Sequence, residues 1–490
     1  MYTEEMRRRC NTLDLKNNGP QYQNEALWKH QRLGVDLAAV NRRYNFFYDT
    51  RTGKTKMMLE VMYNRLKTGE AKRCVVFCPS AIVKAWLSDA ADYPELRVVA
   101  FYGAPAERMK ALSTPAHIII WSTEFVHDNL ELLKAAKFDI CVFDESSKIK
   151  SYKAQLSKDM LELSLCIPSW YNLSATPAPN GKHEYYIQMR CIDYYVFSTA
   201  RCHFVQKYFD DISRNRNYEK LVIKPNMEDE FMNIVNDYSI YVDQKVMPTA
   251  GKEWLPIYFD LDQEATIMYK TMCTDMYAEV EGISITTDMA AAMRNKLNQI
   301  TSGFLIDTGA KKQNELDAKL GYKPAAKEVY RLSNRTRINV LNSLLNNIGK
   351  QKVVIWANYA EEFRELYELL GDSARYIRGG TSVEDKEQFI YRDFKKGPIQ
   401  YLVCHPLSVG MGINLTEAHI AIYYSLNDSW EAFKQSSERI CGHIAVQPNK
   451  CQYYIILANK TVNELIYDNI INKRDSSTGF MEHLKASALQ

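Results

Sequence analysis

Three residues, Gly53-Lys54-Thr55, follow the apolar run Asn45–Tyr48 and open the helical pattern KMMLEVMYNRL. A strand that runs through a glycine-bearing turn into a helix aims backbone N–H groups and the positive end of a helix dipole at one point, which makes an anion site. In that setting Lys54 would reach the outer phosphates of a nucleotide, and the Thr55 hydroxyl would take a Mg²⁺ position. A bare Gly-Lys-Thr string is a weak signal, so its neighbours decide. Downstream, FDICVFDESSKIK ends an apolar run in Asp144 and Glu145. The C-terminal end of a parallel strand is where such sheets place their ligand crevice. There the first acid would hold Mg²⁺ and the second would polarise an attacking water. Arg51 stands where many such loops carry glycine, which predicts a stiffer loop or an outward-facing arginine.

The elements that would position these groups are legible as short apolar runs. YNFFYDT, RCVVFCPS, HIIIWST, DICVFDES and SWYNLSATP form one series, and QKVVIWANY, SARYIRGG, IQYLVCHP, AHIAIYYSL and QYYIILAN a second after about residue 350. Runs of this length, β-branched or aromatic and mostly followed by a helical pattern, read as buried parallel strands of α/β sheets. Two parallel-sheet domains therefore bracket the chain, with an aromatic, charged and helical middle from roughly 190 to 335. A length of 490 residues predicts two to four domains. With 62 Lys+Arg against 59 Asp+Glu, the formal charge of +3 leaves any hold on a polyanion to a local basic groove. The 11 cysteines show no zinc-type pairing and sit mainly in apolar runs, as expected of reduced thiols in a cytosolic compartment. No signal-like apolar stretch opens the sequence and no run of 18 uncharged apolar residues occurs in it, so neither export nor a membrane span is expected.

The order of motifs resembles a superfamily 2 helicase, specifically its Swi/Snf-like branch of DNA-dependent ATPases, over about residues 24 to 470. LWKHQRLGVDLA is similar to the adenine-reading motif, TRTGKT to motif I, VVFCPSAIVKAW to Ia, IIIWSTEF to Ib, VFDESSKIK to II and LSATPAPNG to III. In the second half KLNQITSGF, KVVIWANYAEEF, GGTSVEDKEQFIYRDF, SVGMGINLTEAH and QSSERICGHIAVQ follow in the family's order. The resemblance implies two RecA-like lobes, α/β parallel-sheet units with helical insertions between them and ATP held from both sides. Its segments would be an N-terminal piece 1–23, lobe 1 over 24–245 with a helical insertion from about 190, a helical insertion and linker over 246–325, lobe 2 over 326–475, and a tail 476–490. It assigns nucleotide contacts to Gln31, Thr52, Gly53, Lys54, Thr55 and Gly412, and Mg²⁺ to Thr55 and Asp144. Catalysis falls to Lys54, Asp144, Glu145, Gln435 and Arg439, and coupling of lobe movement to the phosphate state to Ser174, Ala175 and Thr176.

For nucleic acid the resemblance points to Lys84, Thr123, Arg294, Lys386, Asn414, Thr416 and Trp430, with Trp86, Lys296 and Arg392 nearby. Gly410 and Gly412 before Asn414 would permit close backbone approach to a phosphate chain. Lysines and arginines neutralise phosphates without reading bases, so binding should be sequence-nonspecific and salt-sensitive. The branch typically tracks along duplex DNA. The expectation is thus a monomeric, ATP- and Mg²⁺-dependent duplex DNA translocase in the cytoplasm of a bacterial or phage-infected cell. One departure matters: Gly442 occupies the place of the second arginine of motif VI, and aligning Gln447 with the family's trailing glutamine supplies no arginine either. An arginine finger changes rates by roughly 10³ to 10⁵. A nucleotide-gated DNA clamp with weak turnover therefore stands as the alternative, and an RNA or single-strand helicase as a third.

Overall fold

The computed structural model describes residues 27–198, 200–212, 221–246, 249–280, 287–306, 329–333, 335–409, 413–442, 444, 447–472 and 487. The expected segment 1–23, the tail 476–490 apart from Ser487, and Gly410, Gly412 and His443 lie outside the described residues. The chain divides into two compact units that part between Pro248 and Thr249.

The first unit is built on seven parallel strands: β1 (Arg43–Tyr48), β2 (Cys74–Cys78), β3 (Val98–Phe101), β4 (Ile118–Ser122), β5 (Ile140–Asp144), β6 (Ser169–Leu173) and β9 (Ser239–Val242). Their order across the sheet is β3-β4-β2-β5-β6-β1-β9. The strands β2, β4, β5 and β6 are buried at every position, because helices cover both faces of a parallel sheet. Two apolar clusters result, one on each face, the first around Met57, Met62, Trp86 and Tyr93 and the second around Phe143, Met160, Trp170 and Met189. The segment after residue 190 is only partly helical. It contains a short antiparallel hairpin of β7 (Phe209–Asp211) with β8 (Leu221–Ile223), and Phe197, Phe204 and Phe231 pack together beneath it.

The second unit carries six parallel strands, β10 (Lys252–Phe259), β13 (Val353–Trp356), β14 (Ala374–Ile377), β15 (Tyr401–Cys404), β16 (Ile420–Tyr423) and β17 (Cys451–Ala458), in the order β10-β17-β16-β13-β15-β14. A small antiparallel hairpin joins β11 (Phe304–Ile306) to β12 (Val329–Arg331). Residues 252–259 differ from the sequence expectation of a helical linker: they pair in register with β17, from Lys252 opposite Cys451 to Phe259 opposite Ala458. The cause is position. β10 lies at the sheet edge, most of its residues are only half buried, and it tolerates Pro256, so it lacks the continuous apolar text of a central strand. Arg337 anchors this unit. Its buried guanidinium donates to the Thr301 carbonyl and hydroxyl, to the Tyr424 and Ile456 carbonyls, and to Asn463 Oδ1.

Candidate nucleotide-binding site

The loop after β1 has the backbone its sequence asks for. Gly53 sits in the left-handed region (φ 76°, ψ 37°) and precedes the helix Lys54–Lys67, which has no side-chain cap and no acidic residue in its first turn. The first N–H groups of that helix are thus left for an external anion. Arg51 also has positive φ (62°), the conformation that glycine would adopt freely. The Lys54 ammonium donates to the carbonyls of Tyr48 (2.9 Å) and Asp49 (3.3 Å), and the Thr52 hydroxyl donates to Asp49 O at 2.7 Å. The loop is clamped from the helix Lys29–Val40. Gln31 donates from Nε2 to Gly53 O at 2.9 Å and accepts from Trp28 N–H at 2.7 Å, while a His30 ring nitrogen lies 2.8 Å from Thr52 O. A Cβ on residue 53 would stand 2.1 Å from Gln31 Nε2. Gln31 is buried and its amide is committed to the loop backbone, so contact with a base would require the amide to exchange partners.

Asp144 ends β5 and is buried. Its Oδ2 accepts from Trp86 Nε1–H at 2.9 Å, and its Oδ1 from the Glu145 N–H at 3.0 Å. Burial pushes its carboxyl above the usual carboxylate range, against the opposing pull of the Lys54 ammonium and these two donors. Glu145 is held in the left-handed region (φ 58°, ψ 51°), a strained setting for a residue with a side chain. The donor set fits a Mg²⁺–nucleotide: unclaimed helix N–H groups and Lys54 for phosphate, and the Thr55 hydroxyl with the Asp144 carboxylate for a hard cation.

Ser174 follows β6, is fully buried, and accepts the Thr176 N–H at 3.1 Å. A residue not singled out from sequence joins this turn to the acidic one. Gln188, fully buried, accepts from the Ser146 hydroxyl at 2.8 Å and donates to Pro177 O at 2.6 Å. Beneath it runs a ladder of buried amides: Asn172 Nδ2 donates to Asn45 Oδ1 at 2.9 Å, and Asn45 Nδ2 to Tyr238 O at 3.0 Å. Polar letters inside apolar strands were the available signal, since a buried amide must find partners. The turns after β2 and β4 are also tied, Ser80 Oγ lying 2.7 Å from Ser122 Oγ and both hydroxyls reaching Glu124. Thr123 is buried there, Lys84 is exposed, and Trp86, expected beside a groove, is instead 1% exposed.

In the second unit, Gln435 and Arg439 are half buried on and just after the helix Trp430–Glu438, and Gln435 donates to Glu431 at 3.1 Å. Glu438 forms an ion pair with Lys252 of β10 at 2.5 Å. The loop bearing Asn414 and Thr416 is braced on this region: Leu415 N–H donates to Arg439 O at 2.8 Å, and buried Gln447 donates to Thr416 O at 2.7 Å. Asn414 is exposed, and its side chain accepts the Thr416 N–H at 2.9 Å. Gly442 is buried. Arg294 corrects an expectation. It is 1% exposed with Nε 2.8 Å from Asp428, so it could meet a nucleic-acid phosphate only by leaving that carboxylate. Lys296 likewise donates to the Ile306 carbonyl. Arg392 is exposed, and Lys386 and Trp430 are half buried. A cavity of about 290 Å³ is lined by Arg294, Asn295, Asn298, Asn358, Tyr359 and Asp428 among others. Its wall groups largely bond one another, for instance Tyr359 Oη with Asn295 and Asn298.

Two parallel-sheet units, the first carrying a glycine-lysine-threonine turn and a buried strand-end acid, define the class: an α/β protein built on two parallel sheets. Comparison with known proteins specifies it further. The SNF2-related domain matches residues 46–309 and the helicase conserved C-terminal domain residues 336–441, and the chain belongs to the SNF2-related family. Members of that family are helicase-like, DNA-dependent ATPases. The putative protein p41 of Acyrthosiphon pisum secondary endosymbiont phage 1 is 23% identical, over 93% of this chain and 98% of its own length. The ISWI chromatin-remodeling complex ATPase ISW1 of Saccharomyces cerevisiae is 21% identical over 81% of this chain. The TATA-binding protein-associated factor mot1 of Schizosaccharomyces pombe is 29% identical over 32% of it. This chain spans only 35% of the former protein and 9% of the latter. Among solved structures, the Sulfolobus solfataricus SWI2/SNF2 ATPase core in complex with dsDNA is 18% identical, covering 95% of this chain and 96% of that one, with a TM-score of 0.43. Among the described residues no helix is long and apolar enough to cross a membrane.

Proposed function

We infer that the protein is an ATP-driven motor that moves along double-stranded DNA and remodels forks, branches or protein–DNA complexes. The observation that carries this reading is the layout of the first unit. The helix behind the loop opens at Lys54 with uncapped N–H groups, and the buried carboxylate of Asp144 ends a strand of the same parallel sheet. Lys54 and the helix N–H groups hold the phosphates, Thr55 and Asp144 hold Mg²⁺, and Glu145 orients water. When bound, the metal supplies charge neutralisation for phosphoryl transfer. Gln188 transmits the state of the acidic turn to the Ser174–Thr176 turn through its two hydrogen-bonded ends. By the family's pattern, turnover also draws on Gln435 and Arg439 of the second unit. Exposed Lys84, Arg392 and Asn414 are the proposed backbone contacts to DNA.

Gly442 favours a second reading, a DNA clamp gated by nucleotide with little turnover, because a glycine brings no guanidinium charge to a transferring phosphoryl group. Steady-state ATP hydrolysis with duplex DNA, single-stranded DNA, RNA or no nucleic acid, alongside Lys54→Ala, separates the readings. Turnover stimulated by duplex and abolished by the substitution is expected. Flat basal turnover with retained DNA binding supports the clamp, and stimulation confined to RNA or single strands overturns the duplex assignment.

A further inference from the structure

The sequence sets Trp86 two residues after Lys84, where the resemblance expects a nucleic-acid groove. The structure sends the two in opposite directions from the helix Val83–Ala90: Lys84 is exposed and Trp86 is 1% exposed within the core. Trp86 Nε1–H donates to Asp144 Oδ2 at 2.9 Å, and the Glu145 N–H occupies Oδ1 at 3.0 Å. An indole N–H is a donor only, and a buried one takes an acceptor where the fold offers it. What singles out this pair is the acceptor: the buried carboxylate that ends β5, the group read here as a metal holder. Two N–H groups approaching different oxygens fix the carboxylate plane, while each oxygen keeps a further lone pair for a metal-bound water.

We propose that Trp86 is a positioning residue for the metal-holding carboxylate Asp144, and that the Val83–Ala90 helix thereby links the metal site to the surface that carries Lys84. The proposal rests on the Mg²⁺–nucleotide reading of the first unit. The helix is short and starts directly behind β2, which lies beside β5, the strand that ends in Asp144. A phosphate contact at Lys84 therefore acts on the same rigid piece that holds the indole. The link is reciprocal: whatever a DNA contact does to metal–nucleotide affinity, metal–nucleotide does to DNA affinity by the same factor.

Trp86→Phe keeps an aromatic ring in the core and removes the donor. The Mg²⁺ concentration giving half-maximal ATP hydrolysis should rise roughly tenfold or more, the usual effect of losing a partner of a metal-binding group. Binding of a fluorescent ATP analogue without metal should stay as in the unsubstituted protein, and the stimulation of turnover by duplex should shrink. In an Asp144→Asn background the same change should add nothing to the Mg²⁺ dependence of analogue binding, since Trp86 acts through that carboxylate. A folded Trp86→Phe protein with unaltered Mg²⁺ dependence overturns the proposal. Should the variant fail to fold, the Trp86 indole N–H resonance of the unsubstituted protein decides. It should shift when Mg²⁺ is added to the nucleotide-bound protein, and a resonance unmoved by metal overturns the proposal equally. Lys54→Ala separates the two levels: if it binds the analogue as well as the unsubstituted protein does, the underlying site reading fails, whatever Trp86 does.

Discussion

Gly53→Ala is the sharpest test of the loop geometry. An L-residue at φ 76° carries strain of roughly 1–2 kcal/mol. The new Cβ would also stand 2.1 Å from Gln31 Nε2, so the amide must move and its 2.9 Å bond to the loop carbonyl is lost, at a further cost of about 1 kcal/mol. A total of roughly 2–3 kcal/mol corresponds to about 30- to 150-fold faster local opening. Hydrogen exchange read by mass spectrometry across 43–67 measures this on the loop itself, free of the unfolding of the second unit. The comparison that isolates the clamp is the same substitution in a Gln31→Ala background. With the amide gone only backbone strain remains, so the increment should shrink by about 1 kcal/mol, a coupling well above what independent sites show. Equal increments in the two backgrounds would refute the clamp, and an unchanged exchange rate in Gly53→Ala would refute the left-handed turn.

Other consequences follow from the same structure. Arg51→Gly should raise stability by up to about 1 kcal/mol in urea unfolding, since relief of left-handed strain exceeds the entropy cost of glycine; a loss would mean that the arginine's own contacts outweigh the strain. Gln188→Ala should cut ATP turnover roughly tenfold while leaving nucleotide affinity unchanged, because it severs the link between two turns without touching the phosphate groups. Arg337→Met should destabilise the second unit by roughly 3 kcal/mol or more in urea unfolding, as several buried acceptors lose their donor together. Burial holds His405 and His419 below their usual pKa of 6.5. Their contribution is therefore complete above that value and lost as pH falls through the lowered ones, because the unfolded chain then binds more protons. The double His405→Asn, His419→Asn variant should show a flatter fall in melting temperature between about pH 7 and pH 5.

How far the sequence could be followed depended on whether the signal was local. Strand, turn and helix around Lys54 are contiguous in the chain, and β5 announces Asp144 and Glu145 in a single apolar run, so the elements that carry both halves of the candidate site are legible. Central strands such as β2 and β13 were equally plain because both faces are buried. β10 escaped since an edge strand is half polar and its partner, β17, lies about two hundred residues away. Residue type and motif neighbourhood place Trp86 and Arg294 at a nucleic-acid surface. Their carboxylate partners, Asp144 and Asp428, are remote in sequence, and the bonds to them turn both side chains inward. Gln31 shows the same limit: its motif points to a base, whereas its amide in this structure holds the loop.

Directed movement along duplex DNA is the property that displacement of a third strand from a duplex reports directly. The protein should strip a triplex-forming oligonucleotide from double-stranded DNA in the presence of ATP and Mg²⁺, and Lys54→Ala should not. Hydrolysis stimulated by duplex without displacement, or displacement indifferent to ATP, would contradict it.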